Sequence, residues 1–170
     1  MILLHMDKCP GDSLIDEHKD WIACTSVSWN IERTFSESAK AGTLDVNVGV
    51  ADIPPISINK TLDKASIYLM AAGIAGGSMG KEAKLHFLFA DQEGKQHLYL
   101  EFLLANPIIA SWSISGDEDE RPTEEVSVWY WAIWMQYHTW DGSTNKVAGS
   151  KGWDRTKNKP WNGKDPVGGK

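Results

Sequence analysis

The sequence predicts a mainly β protein, an antiparallel β-barrel or sandwich of two sheets with one short flanking α-helix. Three observations predict it. Apolar residues recur at every second position along much of the chain, one segment alone carries a capped helical pattern, and Gly, Pro, Asp and Ser interrupt the apolar runs at short intervals. A chain of many short strands must cover both sheet faces and edges, which closing or stacking antiparallel sheets achieves.

The first strand is Ile2–Met6 and the second covers 21–29. Leu44, Val46, Val48 and Val50 alternate with Asp45, Asn47 and Gly49, which predicts a strand with one face on a core. Residues 56–60 form the next strand. Asp63 is then a helix N-cap, Ala65, Tyr68, Leu69 and Ala72 share a helical face, and Gly76 with Gly77 ends the helix. Residues 85–90 and 96–104 flank the turn cluster Asp91-Gln92-Glu93-Gly94-Lys95 and predict a hairpin, with His86 and His97 placed to face each other across it. Segments 108–115 and 125–139 complete eight or nine strands. In the last, Trp131, Ile133, Met135 and Tyr137 lie on one parity and Val126, Val128 and Tyr130 on the other. The inward face must therefore switch near Tyr130, as at a β-bulge, leaving Trp129 and Trp134 pointing away from the core. Stretches 32–42 and 146–170 fit neither period and read as irregular and mobile in an isolated subunit. The chain thus divides into a β-barrel domain over 1–146 and a tail over 147–170 that is either part of the same domain or partly flexible.

Composition excludes several functions. Among 170 residues, 17 are basic and 23 acidic, for a net charge of −6, so there is no cationic surplus to hold nucleic acid or an anionic membrane. His5 and Asp7 interrupt the apolar start, which argues against a signal peptide and for a chain that begins in the cytoplasm. Cys9 and Cys24 read as thiols, Cys24 as a structural one inside a strand. No two of the five histidines have helical metal-site spacing. Asp117, Glu118, Asp119 and Glu120 read as a solvated loop, and Gly73, Gly76, Gly77 and Gly80 follow a helix and lack the ending of a phosphate loop. These patterns predict no catalytic residues, no metal and no cofactor.

Tryptophan is the compositional anomaly. There are nine, and Trp112, Trp129, Trp131, Trp134 and Trp140 fall close together. Outward indoles suit a protein–protein interface or a sugar-stacking platform, or they pack at sheet edges and under the long tail.

Five strings occurring in order carry a resemblance. They are His18-Lys19-Asp20-Trp21-Ile22 running on to Ser26-Val27-Ser28-Trp29, then Asp63-Lys64-Ala65-Ser66, the hairpin with its exit through Leu104 and Pro107, Pro122-Thr123-Glu124-Glu125-Val126-Ser127, and Gly152-Trp153-Asp154 followed by Lys157-Asn158-Lys159. Together they resemble the Hcp (haemolysin-coregulated protein) family of the bacterial type VI secretion system. The positions that carry it are Lys19, Asp20, Trp21, Trp29, Asp63, Thr123, Ser127 and Trp153. The resemblance implies a structural, non-enzymatic subunit that forms a homo-hexameric ring. Such rings stack into a hollow tube similar to a contractile phage tail tube. Its implied partners are the sheath, the spike and effector proteins carried or chaperoned in the lumen, and it implies secretion through the apparatus. The sequence departs from the family pattern at Trp129, Trp131 and Trp134, and the outward parity of Trp129 and Trp134 makes those two candidate interface residues. Alternative readings are a carbohydrate-binding β-sandwich, from tryptophan richness, and a phage tail tube protein.

Overall fold

The computed structural model describes residues 1–37 and 46–168. Within them lie β1 (Ile2–Met6), β2 (Ile22–Cys24), β3 (Ser26–Ser28), β4 (Glu32–Glu37), β5 (Val46–Asp52), β6 (Ile56–Thr61), α1 (Ala65–Ala75), β7 (Glu82–Ala90), β8 (Gln96–Ala105), β9 (Ile108–Ser115), β10 (Thr123–Trp129), β11 (Ala132–Trp140), β12 (Asn145–Asp154) and β13 (Lys159–Pro160). All strand pairs are antiparallel. They form a seven-stranded sheet in the order β13-β12-β11-β8-β7-β1-β2, a four-stranded sheet β3-β6-β10-β9, and a separate β4–β5 hairpin.

The predicted class is therefore the observed one, with thirteen strands where eight or nine were expected. Two of the expected strands divide because the chain changes sheet. Residues 22–24 pair with β1 and residues 26–28 with β6, so the chain crosses at Thr25. The segment after β10 crosses the other way, and the inward face switches at Tyr130 through this corner. A bulge is present nearby, between Ser127 and Val128 against β9. Val126, Val128 and Tyr130 are buried as their parity requires, and so is Ile133, but Trp131, Met135 and Tyr137 are exposed. The corner places Ala132 and Ile133 both inside, and the strand then presents that parity to solvent.

The main core packs Leu4, Met6 and Ile22 from one sheet against Ile56, Ile58, Val126 and Val128 from the other, with Ala65 and Leu69 of α1 closing one side. Each such large aliphatic side chain contributes about 1.5–3 kcal/mol on burial. Asp63 accepts the Ala65 N–H at 2.9 Å while its own N–H donates to Ser66 Oγ at 3.0 Å, and Gly76, at φ 70°, donates its N–H to the Ala72 carbonyl. The helical face differs from expectation: Tyr68 is exposed and Ser66 takes the buried place.

Three further expectations are corrected. Residues 32–37 form β4, while 38–42, with Leu44, lie outside the described residues. Val50 is 85% exposed, and among the described residues β5 pairs with β4 alone, apart from the two main sheets. The stretch from 146 is regular: β12 crosses the 146/147 division and pairs with β11 from Ala132↔Asp154 to Trp140↔Asn145. Beyond it, Trp161 and Val167 cover Leu103, Ala105 and Ala132 in a second cluster, held by the Asn106 amide donating to the Val167 carbonyl at 2.9 Å. Gly152 permits this approach, since a Cβ there would lie 2.7 Å from the Ile133 carbonyl oxygen and 2.8 Å from that of Trp161.

Candidate assembly surface

Two of the five strings meet at the surface, where Lys64 Nζ donates to Asp20 Oδ1 at 2.7 Å. The lysine hydrogen bond and charge hold the Asp20 carboxyl below its ordinary range. Asp20 takes a positive φ of 62° in the turn that brings Trp21 back to the sheet, and Lys19 is exposed. Trp21 is half-buried under imidazoles: ring centroids lie 4.6 Å away at His18, 4.6 Å at His86 and 5.2 Å at His5. Trp29 packs partly buried on the main core and donates from Nε1 to Tyr130 Oη at 2.7 Å, while Tyr130 donates to the Pro54 carbonyl. Burial pushes the Tyr130 hydroxyl up to about 12.

Asp63 and the residue after Thr123 share a buried ion network that the sequence reading did not single out. Lys60 Nζ reaches Glu124 Oε2 at 2.6 Å, Asp63 Oδ1 at 2.7 Å and Ser66 Oγ at 3.1 Å, with Lys60 and Glu124 each 1% exposed. Their strand parity is the signal that could have found them, since Lys60 follows Ile56 and Ile58 on the inward face and Glu124 precedes Val126. Thr123 is exposed, Ser127 lies 3.3 Å from Ser57 Oγ across the sheet, and Trp153 is half-buried.

Exposed apolar side chains concentrate in three places. Ile31, just before β4, Phe35 on β4 and Val50 on β5 are exposed around the hairpin. On α1, Ile67, Met70 and Ile74 form an exposed stripe. Between the hairpin and β11–β12, an almost wholly apolar groove of about 250 Å³ is lined by Trp29, Ile31, Ile53, Ile133, Met135 and Trp153 among others. Trp129 meets Trp131 edge-on at 4.8 Å with the Arg155 guanidinium 4.9 Å from its ring. Trp134 lies away from the main core but packs on the second cluster, where a Cβ at Gly163 would sit 3.1 Å from its ring. Its covering is therefore in good part its own tail.

The titratable groups are built into the fold. His86 and His97 do not oppose one another: the register sets His86 against Glu101 and His97 against Phe89. His97 bonds Asp91 at 2.7 Å and lies 4.0 Å from the Trp140 ring. Burial pushes both thiols, Cys9 and Cys24, up to about 12. Residues 117–120 are exposed. Among the described residues no three His, Cys, Asp or Glu side chains converge on a common point for a metal ion, and no helix is long and apolar enough to cross a membrane.

A two-sheet antiparallel barrel with one flanking helix and a separate hairpin thus defines a mainly β protein with exposed apolar side chains on the hairpin and helix. The model of the family described as type VI secretion system effector, Hcp, matches residues 3–137. The chain belongs to the Hcp family of type VI secretion proteins. Similar solved structures include a type six secretion system protein (23% identity, TM-score 0.78, covering 94% of this chain and 98% of that one). Hcp1 from Salmonella typhimurium is also similar (25%, 0.70, 94% and 97%), as is a type VI secretion system effector from Yersinia pestis (21%, 0.69, 91% and 99%). Among curated proteins, none matches the sequence.

Proposed function

We propose that the protein is a ring-forming structural subunit of the type VI inner tube, most simply a homo-hexamer whose rings stack into a hollow, secreted tube able to carry or chaperone effectors. The observation that carries this reading is the apolar surface of the separate β4–β5 hairpin. Phe35 and Val50 are exposed on the hairpin and Ile31 just before it, and among the described residues the hairpin belongs to neither main sheet, so a second subunit is the natural cover. Heterologous contacts that close on themselves hide such surfaces together with free sheet edges. The sheath, the spike and cargo proteins are proposed partners, and no catalysis is proposed. Trp129, braced by Trp131 and Arg155, is the proposed aromatic anchor at the ring contact, with the uncovered edge of Trp134 beside the tail as a second candidate.

Light scattering coupled to gel filtration tests the reading, and particle images show the shape. Rings at several times the 18.9 kDa subunit mass are expected. A strict monomer at high concentration, with tryptophan quenching by sugars, would favour the carbohydrate-binding reading instead.

A further inference from the structure

At one end of the seven-stranded sheet, the β7–β8 turn and the β11–β12 turn enclose a cavity of about 680 Å³. Its wall is aromatic. Phe89 stands opposite His97 in the β7–β8 register, with ring centroids 5.4 Å apart, and Trp140 at the end of β11 lies 4.0 Å from His97 and 6.5 Å from Phe89. His97 is buried, whereas Phe89 and Trp140 are half-buried where they line the cavity. Two aspartates hold the turns in shape. Asp91 Oδ1 accepts the N–H groups of Glu93 at 3.0 Å and Lys95 at 2.9 Å, and its Oδ2 accepts from His97 Nε2 at 2.7 Å. Asp141 Oδ1 accepts the N–H groups of Ser143 at 3.0 Å and Thr144 at 2.8 Å. The site is therefore formed before any ligand arrives, and ordering its loops adds little to the cost of binding.

We propose that this cavity binds a neutral oligosaccharide, with Trp140 and Phe89 stacking on a sugar ring while Gln92, Glu93, Lys95 and Ser143 contact its hydroxyls. Charge and shape select the class. Glu93 and Lys95 bring opposite charges to the rim, and both oxygens of Asp91 are already engaged by His97 and the turn, so neither a cation nor an anion meets an unbalanced partner. The hydrogen bond from His97 holds the Asp91 carboxyl below its ordinary range, which keeps it an acceptor for that ring. A pyranose has an apolar face of slightly positive C–H bonds, which suits the negative π face of an indole or benzene ring. Its hydroxyls each donate and accept, and the rim supplies both functions. The Lys95 ammonium donates, the Glu93 carboxylate accepts and the Gln92 amide does either, while the Ser143 hydroxyl, donating to Asp141 Oδ1 at 3.0 Å, keeps its lone pairs for a ligand. The volume lies within the range of about 300–1,000 Å³ typical of small-molecule sites, which leaves room for a short oligosaccharide.

Titration of the full chain with chitotriose and with cellotriose, followed by tryptophan emission and calorimetry, tests the proposal. Saturable binding of at least one of them is expected, with a Kd of about 0.05–1 mM. Trp140→Ala should weaken it at least tenfold, and Gln92→Ala and Glu93→Ala several-fold each, while Tyr68→Ala on α1 should leave it unchanged. Dichroism shows which variants are folded; should Trp140→Ala not fold, the two turn variants decide, since their side chains are exposed. No saturable binding of either sugar up to about 10 mM, wild-type affinity in folded Trp140→Ala or in both turn variants, or tighter binding of adenosine than of either sugar overturns the proposal. Light scattering on the same samples reads assembly separately, so a ring that binds no sugar refutes this inference alone.

Discussion

Replacing Lys60 with methionine should damage the fold more than replacing its partner Glu124 with leucine. Removing one member of a buried ion pair costs about 3–5 kcal/mol, because the other charge is left uncompensated. The two members are not equally supported. Without Glu124, Lys60 keeps Asp63 Oδ1 at 2.7 Å, the Thr61 carbonyl at 2.9 Å and Ser66 Oγ at 3.1 Å. Loss of Glu124 also removes an oxygen, Oε1, that is buried with no hydrogen-bond partner among the described residues, and relieving such a group returns about 1 kcal/mol. The expected cost of Glu124→Leu is therefore about 2–3 kcal/mol. Without Lys60, Glu124 keeps only the Ser66 hydroxyl at 2.8 Å, so Lys60→Met should cost about 4–5 kcal/mol. At about 2–4 °C per kcal/mol for a chain of this size, the melting temperature falls by about 4–12 °C in the first variant and about 8–20 °C in the second. The double variant should melt above Lys60→Met alone, since it removes both charges. Thermal dichroism at fixed protein concentration reads all three. Additive losses in the double variant, or a larger loss in Glu124→Leu than in Lys60→Met, would refute the reasoning.

Trp29→Phe should cost about 1 kcal/mol by denaturant titration, since it removes the indole donor to Tyr130 while keeping most of the packing. Gly152→Ala should destabilise by about 1–3 kcal/mol and loosen residues 155–168 to proteolysis, because its methyl meets the backbone of β11 and of Trp161. Sedimentation should show weaker rings for Trp129→Ala at native dichroism, while Trp134→Ala should also expose the tail to protease; an intact ring in both removes the interface assignment. Stability should fall as pH drops below about 6.5, because folding lowers the pKa of His18, so the unfolded chain takes up its proton first. Glu101, lowered chiefly by its hydrogen bond from His86, adds a further loss as pH falls through the carboxylate range. Flat stability from pH 8 to about 4 would contradict both assignments.

Periodicity made the fold class readable, since Ile56 and Ile58, or Val126 and Val128, announce an inward face without knowledge of what lies opposite. It could not show where the chain leaves a sheet. Thr25 and the Tyr130–Trp131 corner sit inside stretches without Gly or Pro, and only long-range pairing decides that residues 22–24 join β1 and 26–28 join β6, or that β10 joins β6 and β11 joins β8. Glycine and lysine content made residues 146–154 look irregular, yet pairing with β11 outweighs their weak strand propensity. Of the candidate assembly surface, the unusual tryptophans at Trp129 and Trp131 were visible in the sequence. The tail over Trp134 was not, because it depends on Gly152 and Gly163 allowing backbone and ring to approach. Lys60 and Glu124 were missed because charged residues were read as surface residues, although their parity marks them as inward.

The two corners have a mechanical consequence. Because the polypeptide itself passes from one sheet to the other at Thr25 and again at Tyr130–Trp131, the layers are stitched by covalent bonds as well as by packing. The Trp29–Tyr130 hydrogen bond ties the chain just beyond the first crossing to the second. Tension that would peel the layers apart is carried along the main chain at these stitches and shared among many strand hydrogen bonds loaded in shear. Displacing a single side chain does not release it, so the two layers of one chain part only when the backbone pairing at the crossings is itself broken.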